Sequence, residues 1–495
     1  MAFWSRTKPI DAGEHAAHHQ LKRSLDWPHL VALGVGAIVG TGIYALVGIA
    51  AGTAGPAVLL SFAIVGVVCA CVALSYAEMA TMIPASGSAY TYTYSALGEL
   101  LAWIIGWALI LEYSVAASAV AVGWSGYMTG FLESIGTPLP AEISAGPTDA
   151  EIVRLLQQTF GVEIGYVAGD AAQQAGGLVN LPAIVIILIV TGLLVLGARE
   201  SANVNNVLVV IKLIALAAFI VLALPHFNSA HFEPFMPFGF GSTPTSAGVN
   251  VGVMAAAAII FFAFYGFDAV STAAEETKNP GRDLVIGIVG SMLVCTVLYV
   301  AVAAAALGAM AFTQFAPSRE PLAFILQQVG QSGAAGVIRA AVIVAVPSVI
   351  VALMYGQSRI FFVMARDGLL PQGMGRVHAK FGTPVAMTIL VGMVCSVIAG
   401  FLPLRDIALL ANAGTLAAFA AVSVSVLVMR VREPGRARPF KTPIVWVIAP
   451  IAILGCLYLF TSLTQRTIIW FFVWMGIGLV VYFLYGVRKS RLAKA

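Results

Sequence analysis

Residues 34–44 read Gly-Val-Gly-Ala-Ile-Val-Gly-Thr-Gly-Ile-Tyr and lie inside a long apolar run without Asp, Glu, Lys or Arg. Glycines at 36 and 40 suit a small-residue face where two membrane helices pack closely. The triplet Gly40-Thr41-Gly42 indicates more, because two glycines around a hydroxyl residue favour local unwinding and let a ligand approach the backbone. A dinucleotide-binding loop is a weak interpretation, since no strand precedes the run. We therefore expect a helix that is interrupted midway across a membrane.

An unwound segment in lipid exposes backbone N–H and C=O groups, each of which costs several kcal/mol when it is unpaired. A half-helix that starts after Gly42 points its N–H groups and the positive end of its dipole at the break, which suits a carboxylate. The half-helix that ends near Ile38 offers carbonyl groups, which suit an ammonium. The sequence thus predicts a site for a zwitterion such as an amino acid.

A second interruption lies in residues 261–269, which read Phe-Phe-Ala-Phe-Tyr-Gly-Phe-Asp-Ala. Gly266 and Asp268 break the apolar run there. Asp268 either caps the lower half-helix or contacts the substrate directly, and both roles stay open. The two interruptions fall in the first and sixth apolar spans, and interrupted segments at corresponding positions of two halves indicate a binding site at the membrane midplane.

Composition indicates that most of the surface contacts lipid. The chain has 495 residues, of which 60% are hydrophobic and 10% charged, whereas soluble domains carry about 25% charged residues. Runs of roughly 20 apolar residues can span a membrane, and twelve runs predict an all-α membrane protein. They lie at 29–53, 57–83, 98–130, 180–197, 203–224, 248–275, 284–311, 334–364, 383–402, 405–430, 443–463 and 467–486. The five cysteines lie within such runs without a metal-binding motif, so we predict no metal site.

The distribution of Lys and Arg predicts the orientation. Both termini and the loops near 199, 278–282, 359–380 and 430–441 carry 20 of the 26 Lys and Arg residues, and the other side carries 5. Because basic residues accumulate on the cytoplasmic side, we expect both termini in the cytoplasm and the protein in the cell membrane. The net charge of +4 follows this topology and indicates no nucleic-acid partner. Residues 1–27 are expected to be a solvated, largely disordered tail.

Six motifs occur between the first span and the end of the eighth. They are Gly36-Ala-Ile-Val-Gly-Thr-Gly-Ile43, Ser75-Tyr-Ala-Glu-Met-Ala80, Pro84-Ala-Ser-Gly-Ser-Ala-Tyr-Thr-Tyr92, Gly266-Phe-Asp-Ala-Val-Ser-Thr-Ala-Ala-Glu-Glu276, Asn279-Pro280 and Arg366-Asp-Gly-Leu-Leu-Pro371. In these motifs the chain resembles the amino acid–polyamine–organocation (APC) transporter superfamily, most closely the cationic amino acid transporter branch and its bacterial relatives. The resemblance implies a LeuT-like fold, which has two inverted five-helix repeats plus two extra helices and works by alternating access.

The resemblance also implies how the chain is divided. We expect a cytoplasmic tail at 1–27, a ten-helix transport core at 28–430, two further helices at 431–486 and a basic cytoplasmic tail at 487–495. The core contains an extracellular loop at about 131–179. Within it, residues 148–156 read Thr-Asp-Ala-Glu-Ile-Val-Arg-Leu-Leu and predict a short capped helix.

By position, the resemblance implies a substrate site between the two interruptions. The carboxylate would bind the backbone of residues 40–42, and the amino group would meet carbonyl groups of both interrupted spans. Phe262 stands where the family has an aromatic gate over the substrate, with ordinary core packing as the alternative. The implied substrate-binding residues are Ile38, Val39, Gly40, Thr41, Gly42, Phe262, Ala263, Tyr265, Leu353 and Met354.

Two charged residues lie deep within spans. Lys212 lies in the fifth span, where an intramembrane charge is a functional candidate by default. The resemblance places it where sodium binds in sodium-coupled transporters of this fold, which implies proton coupling or sodium-free operation. A buried lysine side chain can lose and regain its proton. Glu112 in the third span contacts a substrate side chain, relays protons or locks helices together. We expect a proton gradient as the driving force and no cofactor.

The nature of the substrate side chain follows from the eighth span. Leu353 and Met354 are bulky apolar residues at the position where selectivity is expected, and only Glu112 is placed to pair with a cationic side chain. Burying a guanidinium without a partner is costly, so we expect proton-coupled symport of small neutral amino acids such as alanine, glycine or serine. Arginine, lysine or polyamine transport or exchange is the alternative. A channel, a membrane-embedded enzyme and a non-transporting sensor are the competing classes. The sequence favours a permease over the first two and leaves the sensor open.

Overall fold

The computed structural model describes residues 6–9, 25–83, 87–147, 177–197, 202–245, 249–376, 378 and 383–493. Helices dominate this part of the chain. In chain order they are α1 (Trp27–Ile38), α2 (Thr41–Tyr44), α3 (Leu46–Ala54), α4 (Val58–Met82), α5 (Ser88–Ala96), α6 (Glu99–Ser134), α7 (Ala141–Ser144), α8 (Leu181–Val195), α9 (Ala202–Ala223), α10 (Val253–Phe264), α11 (Ala269–Thr272), α12 (Pro280–Ala309), α13 (Phe312–Phe315), α14 (Pro321–Gln328), α15 (Ser332–Ala345), α16 (Pro347–Arg366), α17 (Val385–Phe401), α18 (Leu404–Arg432), α19 (Val445–Thr461), α20 (Gln465–Val481) and α21 (Val487–Lys489).

Local signals in the sequence account for several helix ends. Pro28 stands in the first turn of α1, where its missing N–H costs nothing. The side chain of Asn180 accepts a hydrogen bond from the N–H of Ala183 and caps α8, and Thr464 caps α20 in the same way. A two-residue antiparallel pair, β1 (Thr243–Pro244) and β2 (Asn250–Val251), precedes α10.

Eight helical stretches in the described part of the chain are long and apolar enough to cross a membrane, and four shorter apolar helices accompany them. The short ones are α1, α8, α17 and α19. Each of the twelve predicted spans overlaps at least one of these twelve helical stretches. The predicted helix at 148–156 lies outside the described residues.

The helices turn large apolar side chains outward. Leu454 in α19 is 64% exposed, Trp470 in α20 is 57% exposed and Leu484, just after α20, is 68% exposed. Such a surface is unfavourable in water and matches contact with lipid. Toward the interior, the helices meet at small residues. A Cβ at Gly34 would lie 2.6 Å from the Cβ of Ser291, so α1 and α12 pack at backbone distance.

Ion pairs close the ends of the bundle. Arg430 donates to both carboxylate oxygens of buried Glu78, each at 2.8 Å. At the opposite end, Arg339 donates to Glu320, which precedes α14. Burial raises the pKa of the Glu320 carboxyl, and the hydrogen bonds from Arg339 oppose that shift.

The prediction of a solvated tail is wrong for residues 6–9. Arg6 donates to Glu99 at 3.3 Å, and Lys8 donates to Asp367 at 2.9 Å. Glu99 is fully buried and also accepts hydrogen bonds from Tyr482 and Ser490. Composition favoured a solvated tail because these residues are polar, but their partners are buried carboxylates contributed by distant parts of the chain.

Candidate functional site

The first span is interrupted as predicted. α1 ends at Ile38, Val39 leaves the helical region, and Gly40 is extended with φ −137° and ψ −154°. The second half begins at Thr41, so the prediction that it starts after Gly42 is wrong by two residues. The physical reason is that a single extended glycine turns the chain, while Gly42 serves a different contact.

Gly42 brings the two interrupted spans together. A Cβ at this position would press on the Cα of Ala263 and lie 2.6 Å from its Cβ. Gly266 makes a second close approach, since its Cβ would lie 2.9 Å from the carbonyl carbon of Ala37 and its φ is +116°. Only glycine readily takes that conformation. The residues that sequence reasoning selected around the two breaks therefore lie against one another.

The second break runs from Tyr265, which is extended, to α11. Asp268 precedes α11 but makes no side-chain capping hydrogen bond to it. Its buried carboxylate instead faces the N–H groups of Gly266 and Ala269 and the phenol of Tyr113. Asp268 thus lies against the turn and the first residue of α11 without capping that helix.

Side chains from two other helices hydrogen-bond to the carbonyl groups that the first break exposes. The last carbonyls of any helix lack partners within the helix. The ammonium of Lys212 donates to the carbonyl oxygen of Gly36 at 2.9 Å, and the Tyr299 hydroxyl donates to that of Ile38 at 2.9 Å. Neither partner could be identified from the sequence around the break, because both come from α9 and α12, far along the chain.

Lys212 joins three spans. It is 1% exposed and, besides Gly36 in α1, its Nζ donates to the Ser348 hydroxyl in α16 at 3.1 Å. The hydroxyl of Tyr44, at the end of α2, donates to the carbonyl oxygen of Lys212 at 2.9 Å. Lys212 therefore contacts both halves of the interrupted first span, the first half through its ammonium and the second through its backbone carbonyl.

The Thr41 hydroxyl lies at the break, is fully buried and has no hydrogen-bond partner among the described residues. Facing the break, Val349 on α16 would be 3.6 Å from a Cβ at Gly40. Leu353 lies one turn further along α16, and Met354 follows it, and both are buried. Sequence reasoning missed Val349, although its spacing of four residues from Leu353 places it on the same face of the helix.

Phe262 packs its ring against that of Tyr265 with a centroid distance of 5.3 Å. Both residues belong to the second interrupted span and are buried. Glu112 is also buried, and its Oε2 has no hydrogen-bond partner among the described residues. It interacts with Asp268 and Thr415, so it lies beside the second break rather than in an ion pair with Lys212.

Comparison with known proteins identifies the family. The family model described as amino acid permease matches residues 25–485. A branched-chain amino acid permease, BcaP of Bacillus subtilis, is 46% identical over 472 residues, which is 95% of either chain. The chain belongs to the amino acid permease family. This family relationship indicates a multi-span membrane transporter of the APC superfamily rather than an enzyme.

Two further relatives show how the substrates named for such proteins differ. The methylthioribose transporter of Bacillus subtilis is 40% identical to this permease over 496 residues, the whole of both chains. The vacuolar cationic amino acid transporter 2 of Arabidopsis thaliana is 36% identical over 434 residues, 87% of this permease and 63% of that protein. Family membership thus leaves the substrate side chain to be argued from the site.

The permease has a cavity of about 90 Å³ next to the first break. Its lining residues are Ala45, Ile49, Val122, Gly123, Ser125, Ser144, Ala145, Gly146, Pro147, Asn180, Ser318, Arg319, Leu402, Pro403 and Leu404. A Cβ at Gly123 would lie 2.6 Å from the Cβ of Thr41. Gly123 therefore packs on Thr41, and the cavity lies beside the half-helix that begins there.

Proposed function

We propose that this permease is a secondary active transporter that takes up small neutral L-amino acids, such as alanine, glycine and serine, together with protons. Twelve spans in a LeuT-like arrangement of two inverted five-helix repeats plus two helices would carry the alternating access. Both termini would lie in the cytoplasm, with the protein in the cell membrane. The single observation that carries the proposal is the contact of Lys212 with the break in the first span.

The protein groups that would bind the main-chain end of the substrate suit an amino acid. The half-helix that starts at Thr41 presents its first N–H groups at the break, and the unpaired Thr41 hydroxyl adds a donor for a carboxylate. Across the break, α10 ends at Phe264, so the carbonyl groups of its last turn have no partner within the helix. These carbonyls suit an ammonium, and the two sets together suit a zwitterion.

The protein groups that would surround the substrate side chain suit a neutral molecule. Phe262, Val349, Leu353 and Met354 supply apolar groups around the two breaks. A guanidinium or ammonium placed among them would lose its hydration without a partner charge. The Glu112 carboxylate, which the sequence places to pair with a cationic side chain, interacts with Asp268 and Thr415 beside the second break.

Proton coupling is supported by the position of Lys212. In its charged form the ammonium donates to Gly36 and Ser348, which ties α1 to α16 across α9. Loss of the proton would remove the charge from both hydrogen bonds and weaken the tie. Reversible protonation would thereby bias the two spans between arrangements, which is how a proton gradient could drive the cycle. No cofactor is needed for this mechanism.

Branched-chain amino acids form a second candidate substrate class. The observation that favours them is the 46% identity to a branched-chain amino acid permease. Burial of an apolar side chain favours alanine and leucine alike. A pocket that binds leucine only has to provide a larger volume than one that binds alanine.

Uptake into liposomes tests both classes. We would measure initial rates for radiolabelled alanine, leucine and arginine with an inward proton gradient, with an inward sodium gradient and with neither. Proton-dependent alanine uptake that exceeds leucine and arginine uptake supports the proposal. Faster leucine uptake would favour the second candidate, and arginine uptake would contradict the neutral site. Sodium-dependent uptake would contradict the role given to Lys212.

A further inference from the structure

The connection between α9 and α10 exposes large apolar side chains beyond the ends of both helices. Phe227 is 50% exposed and Phe240 is 51% exposed. Residues 224–252 contain no Lys, Arg or Asp and a single Glu, whereas surfaces in water are rich in charged residues. We call residues 224–240 the aromatic segment. Its other exposed large apolar side chains are Leu224, Phe235, Met236 and Phe238.

The aromatic segment is held against the helix bundle by its backbone and its prolines. The N–H of Asn228 donates to the carbonyl oxygen of Gly308, near the end of α12, at 2.9 Å. A Cβ at Gly55, which joins α3 to α4, would lie 2.5 Å from the Cγ of Pro237. The exposed side chains therefore belong to a chain segment that is fixed across the ends of several helices.

The helices beneath the segment expose apolar faces of their own. On α9, Ile214 and Val221 stand seven residues apart on one face, and Leu224 continues that face after the helix ends. The segment crosses the ends of α12 and α4, and just beyond it the Ser242 hydroxyl donates to the carbonyl oxygen of Ser462, after α19, at 3.1 Å. The exposed apolar residues of these three helices include Leu293 and Val297 of α12, Val67 of α4 and Leu454 of α19. The segment thus forms the rim of a wall that faces lipid.

We propose that the aromatic segment is a membrane-binding surface, which lies in the bilayer at the boundary between acyl chains and headgroups. The leaflet is the one at the Gly308 end of α12. The bilayer fits as the partner because the lipid-facing wall of the helices runs directly into the exposed rings, whose burial in the acyl region is favourable. Glu233 is exposed beside them and would remain in the hydrated headgroup layer.

The segment also supports the start of the second interrupted span. The N–H groups of Val253 and Met254, the first two residues of α10, donate to the carbonyl oxygens of Gly239 and Phe240 at 3.1 and 3.0 Å. The first N–H groups of a helix lack partners within the helix. A segment inserted in the bilayer would therefore fix the depth of this end of α10. The membrane-binding surface does not depend on which substrate is transported, so its test stands apart from the proposed function.

Spin labels measure whether the segment lies in lipid. Phe235→Cys and, separately, Phe240→Cys would be made in the full chain with Cys71→Ala, because Cys71 is half-buried and the other native cysteines are buried. Each would be labelled with a methanethiosulfonate nitroxide in liposomes. Collision rates with oxygen, which concentrates among acyl chains, and with a water-soluble nickel chelate would be measured by power saturation. Both labels should favour oxygen, at a depth of about 5–10 Å below the headgroups.

Two further positions calibrate the measurement. Leu454→Cys lies on the exposed apolar face of α19, and Glu142→Cys replaces an exposed carboxylate of α7. A nickel preference equal to that at Glu142→Cys would place the segment in water and overturn the proposal. Low collision rates with both reagents would show that protein, such as a second copy of the chain, covers the segment, and would overturn it as well. Met236→Cys replaces either variant whose midpoint of thermal unfolding is shifted.

A charge placed in the segment tests whether the apolar side chains hold it in the bilayer. Phe240→Asp, added to the Phe235→Cys variant, should move the label into water, because a carboxylate is unfavourable among acyl chains. We expect the ratio of oxygen to nickel collision rates to fall to its value at Glu142→Cys. Thr245→Asp is the matched control, since Thr245 is an exposed residue beyond the aromatic segment, and it should leave the ratio unchanged. An unchanged ratio in Phe240→Asp would overturn the insertion of these side chains.

Discussion

The two interrupted spans differ in how their exposed carbonyl groups are satisfied. In the first span, Lys212 and Tyr299 donate to the carbonyl oxygens of Gly36 and Ile38. In the second span, no side-chain hydrogen bond to the carbonyl oxygens of residues 261–264 is found among the described residues. The nearest such bonds come from Asn412, one turn earlier, to Ala258 and Ile259.

This difference assigns different roles to the two breaks. Unpaired carbonyl groups are costly at membrane depth and need a partner. The first break has partners within the protein, so its exposed carbonyls serve to bind the helices together. Under the proposed function, the carbonyls of the second break bind the ammonium of the substrate. Four substitutions test this difference between the two breaks, and they are given in order of decreasing expected effect.

Gly42→Ala should have the largest effect. The new Cβ would overlap the Cα of Ala263, which is backbone and cannot move aside without separating the two interrupted spans. We expect loss of uptake and a loss of stability of about 3 kcal/mol or more. Thermal unfolding in detergent and uptake in liposomes would measure both effects.

Gly40→Ala is the matched control for that substitution. Its Cβ would meet only the Val349 side chain, at 3.6 Å, which is ordinary contact, and the backbone there has a negative φ. The protein should fold and keep its thermal stability within about 1 kcal/mol. Equal damage from both alanines would contradict the view that Gly42 serves helix contact and Gly40 serves the turn.

Lys212→Met should abolish proton-driven uptake while the protein still folds. Methionine has a similar length but donates no hydrogen bond, so the Gly36 carbonyl loses its partner at a cost of about 1–3 kcal/mol. Uptake at several pH values and counterflow exchange without a gradient are the measurements. Unchanged proton-driven uptake would show that Lys212 is only a structural tie.

The sequence predicted the apolar helical spans and the positions of the two breaks for identifiable reasons. Apolar runs placed twelve spans because lipid requires continuous apolar helices, and Gly40 and Gly266 marked the breaks because glycine tolerates unusual backbone. The partners of the breaks could not be predicted. Tyr299 and Val349 lie within apolar helices, where nothing local separates them from ordinary core residues. The cavity around Arg319 depends on how six separate segments of the chain meet.

Gly266→Ala should have an intermediate effect. Its φ of +116° is unfavourable for alanine, and the Cβ would lie 2.9 Å from the carbonyl carbon of Ala37. We expect a loss of about 1–3 kcal/mol in stability and a raised KM, because the turn that orients the carbonyls of α10 is strained. Gly476→Ala is the control, since its Cβ would meet nothing within 4 Å. A normal KM in Gly266→Ala would separate the turn from substrate binding.

Tyr299→Phe should have the smallest effect and is the most direct test of the comparison. It removes one hydrogen bond to Ile38 and leaves the ring, which packs edge-on against Phe62 and Phe264. Stability should fall by about 1 kcal/mol. If the carbonyls of the second break bind the ammonium, the KM stays within about twofold. A tenfold rise would mean that the Ile38 carbonyl, oriented by Tyr299, contacts the substrate after all. A lower KM would mean that the freed carbonyl competes for the ammonium, and both breaks would then share the amino group as the family resemblance implies.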